Sequence, residues 1–317
     1  MNNDALWRLP PTGLERAIDG EHPAVVIRDI ASRPRTKGHV IVFANEKGGA
    51  GKSTLAFHSA IALASLGWKV AAIDLDHGQQ TLSRALTNRE ASGRRLGVAL
   101  PTPNHVTLAN PGGAVLLQEI ARIGSKCQYV VIDIAGQDSP SARRCIAMAD
   151  TLVTPVNSSF ADLDVLGQFD ALTMSLKRYG NFALRVDALR QARLKSGLSP
   201  LDWVVVPNRV RRTSSRNEFR FNTALDLLAR ELGFRLGEGL GDRVAYRELF
   251  LYGLTLLDLK KIPQLANVNV SARREIEQLI AGYQLPCWAD RAPVPGQTRL
   301  VRERTPAPAV RHLVSAR

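Results

Sequence analysis

Short unbroken apolar runs alternate along this chain with longer stretches whose apolar residues recur every three or four positions. Val40-Ile41-Val42-Phe43-Ala44, Val70-Ala71-Ala72-Ile73, Val130-Val131-Ile132 and Val204-Val205-Val206 are runs of the first kind. Such runs suit strands covered on both faces. The pattern predicts strands over 39–44, 69–73, 129–132, 151–156 and 203–206. It predicts helices over 52–66, 113–122, 163–178, 184–195, 215–232 and 272–281, with Gly67 stopping the first. Residues 88–112, rich in Gly, Pro and Asn, read as loop. Regular strand–helix alternation predicts an α/β fold: a doubly wound, mostly parallel sheet with helices on both faces.

The alternation divides the chain into a core domain over 38–285 and two flanks. Residues 1–37, with Pro10, Pro11, Pro23 and Pro34, read as a partly disordered extension holding at most a short helix near 12–19. Residues 286–317 read as a disordered basic tail. Pro286, Pro293, Pro295, Pro306 and Pro308 there break any amphipathic membrane-binding helix. No apolar run approaches the ~20 residues of a membrane span. Met1-Asn2-Asn3-Asp4 lacks the basic-then-apolar layout of a signal peptide. Cys127, Cys145 and Cys287 are too few and too scattered for a disulfide framework or a C-x-x-C site, so a reducing cytoplasm is expected.

The densest chemistry is Asn45-Glu46-Lys47-Gly48-Gly49-Ala50-Gly51-Lys52-Ser53-Thr54, directly after the first strand. A strand running into a glycine loop and then a helix makes a phosphate cradle. Backbone N–H groups turn inward on the phosphates, and the helix N-terminus adds the positive end of its dipole. Lys52 reaches the β- and γ-phosphates, and Ser53 supplies a hydroxyl to Mg²⁺. The common pattern G-x-x-x-x-G-K-[ST] wants glycine at 46; this chain has Glu46, and a second lysine, Lys47.

Three more segments fit that loop. Asp74-Leu75-Asp76 ends the second strand, at the side of a parallel sheet where ligands bind. A carboxylate there either positions water or a Mg²⁺ aquo ligand, or is a solvated acid in a turn. Asp133 ends an apolar strand, which is the Walker B arrangement next to Mg²⁺. Gly136 follows, where a backbone N–H can meet the γ-phosphate. Asn208 ends a later strand; its carboxamide either pairs with an adenine edge or makes a turn.

The charge is the unusual bulk property. Lys and Arg number 42 against 29 acids, for a net +13 and a pI near 10.2. Such a field favours nucleic acid or another anionic surface. Between 181 and 220 stand Arg185, Arg190, Arg193, Lys195, Arg209, Arg211, Arg212, Arg216 and Arg220 against Asp187, Asp202 and Glu218. Ser215-Arg216-Asn217-Glu218 has the form of a capping box. Arg216 and Arg220 then share one helix face, with Phe221, Leu225 and Leu228 on the buried one. Arg209, Arg211, Arg212, Arg216 and Arg220 form the candidate DNA face. No base-reading motif accompanies them, so binding to duplex DNA is expected to ignore sequence and to fall steeply with salt. A solvated surface helix is the bland alternative.

With these residues in view, the chain resembles the ParA/MinD superfamily of deviant Walker A ATPases and, within it, the MipZ division-plane positioning ATPases. The resemblance rests on 45–54, ADTLVTPVNSSFADLDVLGQ over 149–168, LDWVVVPNR over 201–209 and GDRVAYRELFLYGLTLLDL over 241–259. It implies that ATP with Mg²⁺ binds at Lys47, Gly48, Gly49, Ala50, Gly51, Lys52, Ser53, Thr54, Gly136 and Asn208. By the same resemblance Ser53 and Asp133 serve the metal, and Asp76 orients the attacking water. Lys47 is implied to reach across an ATP-dependent homodimer to the partner's phosphates, stabilising charge as an arginine finger does. Implied partners are non-specific duplex DNA on the nucleoid, a ParB-type protein and FtsZ. One departure stands out: relatives carry D-T-P-G-G after the Walker B strand, and this chain has Asp133-Ile134-Ala135-Gly136-Gln137. Alternatives are a ParA-type partitioning ATPase for DNA or cargo and a nucleotide-binding scaffold with little turnover.

Overall fold

The computed structural model describes residues 21–109, 111–210, 216–262 and 270–286. Its strands follow as β1 (His39–Phe43), β2 (Val70–Asp74), β3 (Asn104–Thr107), β4 (Tyr129–Asp133), β5 (Thr151–Asn157), β6 (Gly167–Phe169), β7 (Leu176–Tyr179), β8 (Asp202–Asn208) and β9 (Arg235–Leu236). The helices are α1 (Pro23–Ala31), α2 (Lys52–Ser65), α3 (Thr81–Leu96), α4 (Gly113–Gly124), α5 (Pro140–Met148), α6 (Phe160–Leu163), α7 (Asn181–Lys195), α8 (Arg216–Leu232), α9 (Val244–Leu251) and α10 (Val270–Gly282).

Seven strands form one sheet in the order β3-β2-β4-β1-β5-β8-β9, every pairing parallel. Their apolar runs read as continuous because both faces are covered. One face carries α1, α4, α5, α7 and α8 over Val40, Val42, Val130, Ile132 and Val205. The other carries α2, α3, α9 and α10 over Ile41, Phe43, Val131, Val153 and Val204. The register sets Phe43 beside Asp133 and Asp133 beside Asp74, so the acids at the strand ends converge at one rim.

Three predicted segments take another form. Residues 88–112, expected as loop, hold the second half of α3 and the edge strand β3. The α3 stripe of Leu82, Ala85, Leu86 and Arg89 is buried, but half its length is polar and Gly93 interrupts it. Arg89 is fully buried because its guanidinium meets both Asp258 oxygens at 2.7 Å, a partner distant in sequence. Residues 163–178, expected as helix, form the one-turn α6 and the antiparallel hairpin β6–β7. Leu163, Leu166 and Phe169 mimic a helical stripe, yet the Asp170 carboxylate accepts the N–H groups of Leu172 and Thr173 at 2.9 Å and fixes a turn. Residues 21–37 belong to the folded body: α1 is started by the His22 ring and Pro23, and buries Val26 and Ile27 in the core. The helix expected near 12–19 and the tail from 287 onward lie outside the described residues.

Candidate nucleotide-binding site

β1 ends at Phe43, and the chain turns through Asn45 into the glycine loop. The Asn45 side chain, 2 % exposed, donates to Pro155 O at 2.6 Å and accepts the Lys47 N–H at 2.7 Å. This ties the loop's root to β5. The loop closes at Gly51, whose φ of 99° is left-handed. A Cβ there would sit 2.1 Å from Asn208 Nδ2, so only glycine fits. Helix α2 then begins at Lys52 with no side-chain cap. Its first-turn N–H groups are therefore free to serve an anion.

Lys52 lies 9 % exposed within the loop, its Nζ 3.4 Å from Lys47 O. Burial lowers its ammonium pKa, while Asp133 and Asp76 pull the other way. Gly136 faces it: a Cβ at 136 would lie 3.2 Å from Lys52 Nζ. Asp133 is fully buried, and neither carboxylate oxygen has a hydrogen-bond partner among the described residues. Desolvation pushes its pKa up to about 7; the Ser53 hydroxyl beside it and Lys52 oppose the rise, Asp74 and Asp76 add to it. An orphaned buried carboxylate next to a serine hydroxyl is a donor set in want of a cation. Among the described residues no three His, Cys, Asp or Glu side chains gather as a metal cage. Mg²⁺ keeps several waters and takes one or two protein oxygens besides phosphate, which the Asp133 carboxylate and Ser53 hydroxyl can supply.

The two acids after β2 separate in role. Asp74 is buried, and its oxygens accept the N–H groups of Asp76 and Ser83 at 3.0 Å, so it shapes the turn. Asp76 is part-exposed at the rim and accepts the Gln79 N–H at 3.1 Å. The Lys47 ammonium is held by the segment after β5. It donates to Ala161 O at 3.1 Å and lies 3.8 Å from Asp162, with 42 % of the side chain exposed.

Asn208 is 3 % exposed, and its amide donates to Ala50 O at 2.9 Å. It braces the loop, a role the sequence reading did not include beside its adenine and turn alternatives. The adjoining cleft of about 170 Å³ is lined by Thr54, Asn208, Arg209, Leu240, Asp242, Arg243 and Tyr246 among others. Sequence reasoning gave 242–246 no site role. Their place there depends on a contact distant in sequence: Glu275 of α10 accepts from Arg243 Nε at 3.1 Å and from Tyr246 Oη at 2.9 Å.

The candidate DNA residues are only partly together. Arg209 and Arg216 are exposed. Arg220, one turn on, donates to Ala171 O and lies 3.0 Å from Met174 Sδ, holding the hairpin. Arg211 and Arg212, and Ser215 of the expected capping box, lie outside the described residues. Three neighbours in the basic run are structural. Arg193, 1 % exposed, bonds Ala147 O, Ala149 O and Ser199 O. Arg190 caps the end of α8 through Leu232 O and Gly233 O. Arg185 pairs with Glu46 and Asp138.

A parallel sheet with this loop, lysine and buried strand-end acid at its carboxyl rim defines a P-loop nucleoside triphosphatase. Residues 39–287 match the family described as ATPase MipZ. The chain therefore belongs to the MipZ ATPase family, and it is an ATPase of the positioning and partitioning kind. No curated protein matches it. Among solved structures it is similar to apo McdA of Cyanthece, with a TM-score of 0.53 and 19 % identity over 77 % of this chain and 98 % of that one. It is also similar to a putative plasmid partition protein from Borrelia burgdorferi B31 bound to AMPPNP, with a TM-score of 0.51 and 15 % identity over 78 % and 99 %. At such identities the likeness is one of fold. No described helix is long and apolar enough to cross a membrane.

Proposed function

We propose that this ATPase is a dimerising switch: with ATP and Mg²⁺ two copies pair, bind duplex DNA without sequence preference, and place the division site. Lys47 serves the partner's phosphates, Asp76 orients the attacking water, and Ser53 with Asp133 hold Mg²⁺, whose chemistry is to neutralise charge on the phosphates. Arg209, Arg211, Arg212, Arg216 and Arg220 meet DNA phosphates, which makes the protein cytoplasmic and nucleoid-associated. A ParB-type protein and FtsZ are the partners that membership of the family brings forward.

The observation that carries this reading is the part-exposed Lys47 ammonium, resting on Ala161 O and Asp162. A part-exposed lysine held by one carbonyl and one distant carboxylate can exchange them for a second copy's phosphates once ATP lies between the loops. Pairing doubles the phosphate contacts of a weak monomeric face, so nucleotide state and DNA affinity become coupled. Partitioning of DNA or cargo would use the same switch, and only the partner distinguishes it.

The test is random-sequence duplex binding by the Asp76→Ala protein with ATP and with ADP. Tight, salt-sensitive binding with ATP alone is expected. Equal binding with both nucleotides, or none, would break the coupling. Inhibition of FtsZ assembly by the ATP-held protein then separates division-site placement from partitioning.

A further inference from the structure

Glu46 is an acid inside a loop built to hold phosphates, at a position where the common pattern has glycine. Its carboxylate is part-buried and ion-paired with the Arg185 guanidinium of α7. The Arg185 side chain is itself only 13 % exposed, and its Nε lies 3.4 Å from Asp138 Oδ2. Asp138 belongs to the segment that leads from β4 into α5, where Arg143 grips both of its oxygens, Nε donating to Oδ1 at 2.9 Å and Nη2 to the same Oδ2 that Arg185 approaches. The next residue, Ser139, caps α5 by accepting the Ala142 N–H at 3.1 Å. Within that segment a Cβ at Gly136 would meet Lys52 Nζ at 3.2 Å and Glu46 O at 3.7 Å. The phosphate loop and the segment after the Walker B strand thus lie side by side, and one guanidinium from a third element is ion-paired to both.

We infer that Arg185 is a positioning residue of the ATPase: it cancels the Glu46 charge beside the phosphate cradle and holds the Asp138 segment against the loop. Two physical arguments carry this. A desolvated carboxylate left without its partner repels phosphate, and repels ATP more than ADP because ATP bears the extra charge. A guanidinium is a planar fork that can face two carboxylates at once, whereas an ammonium is a point charge that holds one. Arg185 therefore ties the two loops that flank the γ-phosphate position without touching nucleotide. The segment it anchors runs on directly from Asp133 through Gly136. The inference concerns the ATPase alone and needs neither dimer nor DNA.

The experiment measures Mg-ATP and Mg-ADP affinity and single-turnover hydrolysis on the full chain. Arg185→Gln should lower ATP affinity about tenfold and ADP affinity less. Adding Glu46→Gln should restore ATP affinity, because the uncancelled charge is gone, while hydrolysis stays slow because Asp138, still held by Arg143, is no longer tied to the phosphate loop. Arg185→Lys should keep the wild-type ratio of ATP to ADP affinity and still slow hydrolysis. It also serves as the test if the glutamine variant does not fold. Equal losses for both nucleotides with no recovery in the double variant would reduce Arg185 to a packing role. Wild-type hydrolysis in Arg185→Lys would remove the clamp on Asp138.

Discussion

Asp133→Asn separates what the site does for folding from what it does for metal. The carboxylate is fully buried with both oxygens unpartnered, and its pKa stands at about 7 against an ordinary 3.8. A folded-state value raised above the unfolded one means the native protein binds more protons between the two. Stability is then complete below the unfolded pKa and is lost as pH rises from about 4 through about 7. Roughly three pH units at about 1.4 kcal/mol each give an upper figure of ~4 kcal/mol held against the nucleotide-free protein at pH 8. The asparagine carries no such penalty. For a domain of this size it should raise Tm at pH 8 by about 5–10 °C and change it little at pH 4. Mg-ATP should reverse the order, since the cation partners the carboxylate and not the amide. The assay is thermal unfolding of both proteins at pH 4 and pH 8, with and without Mg-ATP. An asparagine variant that melts below wild type at pH 8 without nucleotide, or gains the same Tm from Mg-ATP, would refute the reasoning.

Further outcomes follow from single contacts. Gly51→Ala places a methyl against the Asn208 amide at a left-handed φ, and should cut ATP affinity at least about tenfold by displacing the loop; unchanged affinity would contradict the fit. Asp258→Ala leaves the fully buried Arg89 guanidinium without its bidentate partner and should cost about 3–5 kcal/mol in denaturant unfolding, most of it recovered when Arg89 becomes Met. Arg193→Ala orphans three carbonyls and should cost at least about 2 kcal/mol, yet leave the salt slope of DNA binding unaltered; a shallower slope would place Arg193 on the DNA face.

The chain by itself determined the elements whose signals are local. A run such as Val130 to Ile132 suits a doubly covered strand, and a glycine loop between strand and helix suits a phosphate cradle, because both signals are carried by neighbouring residues alone. The positions of Asp133 and Gly136 were legible for the same reason: one ends β4 and the other follows it, at a rim fixed by the parallel sheet. Tertiary structure alone decided which charges are sites and which are struts. Arg185, Arg190 and Arg193 stand in one basic run with Arg209 and Arg216, yet the first three are tied to partners elsewhere in the chain. Composition cannot separate them, since a guanidinium facing buried carbonyls and one facing water read alike. The hairpin at 167–179 was hidden because a turn held by Asp170 outweighs a coincidental apolar spacing. α1 was hidden because its apolar stripe has no meaning until α5 and α7 lie beneath it. The brace from Asn208 to Ala50 belongs to the same class: it joins the end of β8 to a loop far upstream, and only the folded sheet brings the two within a hydrogen bond.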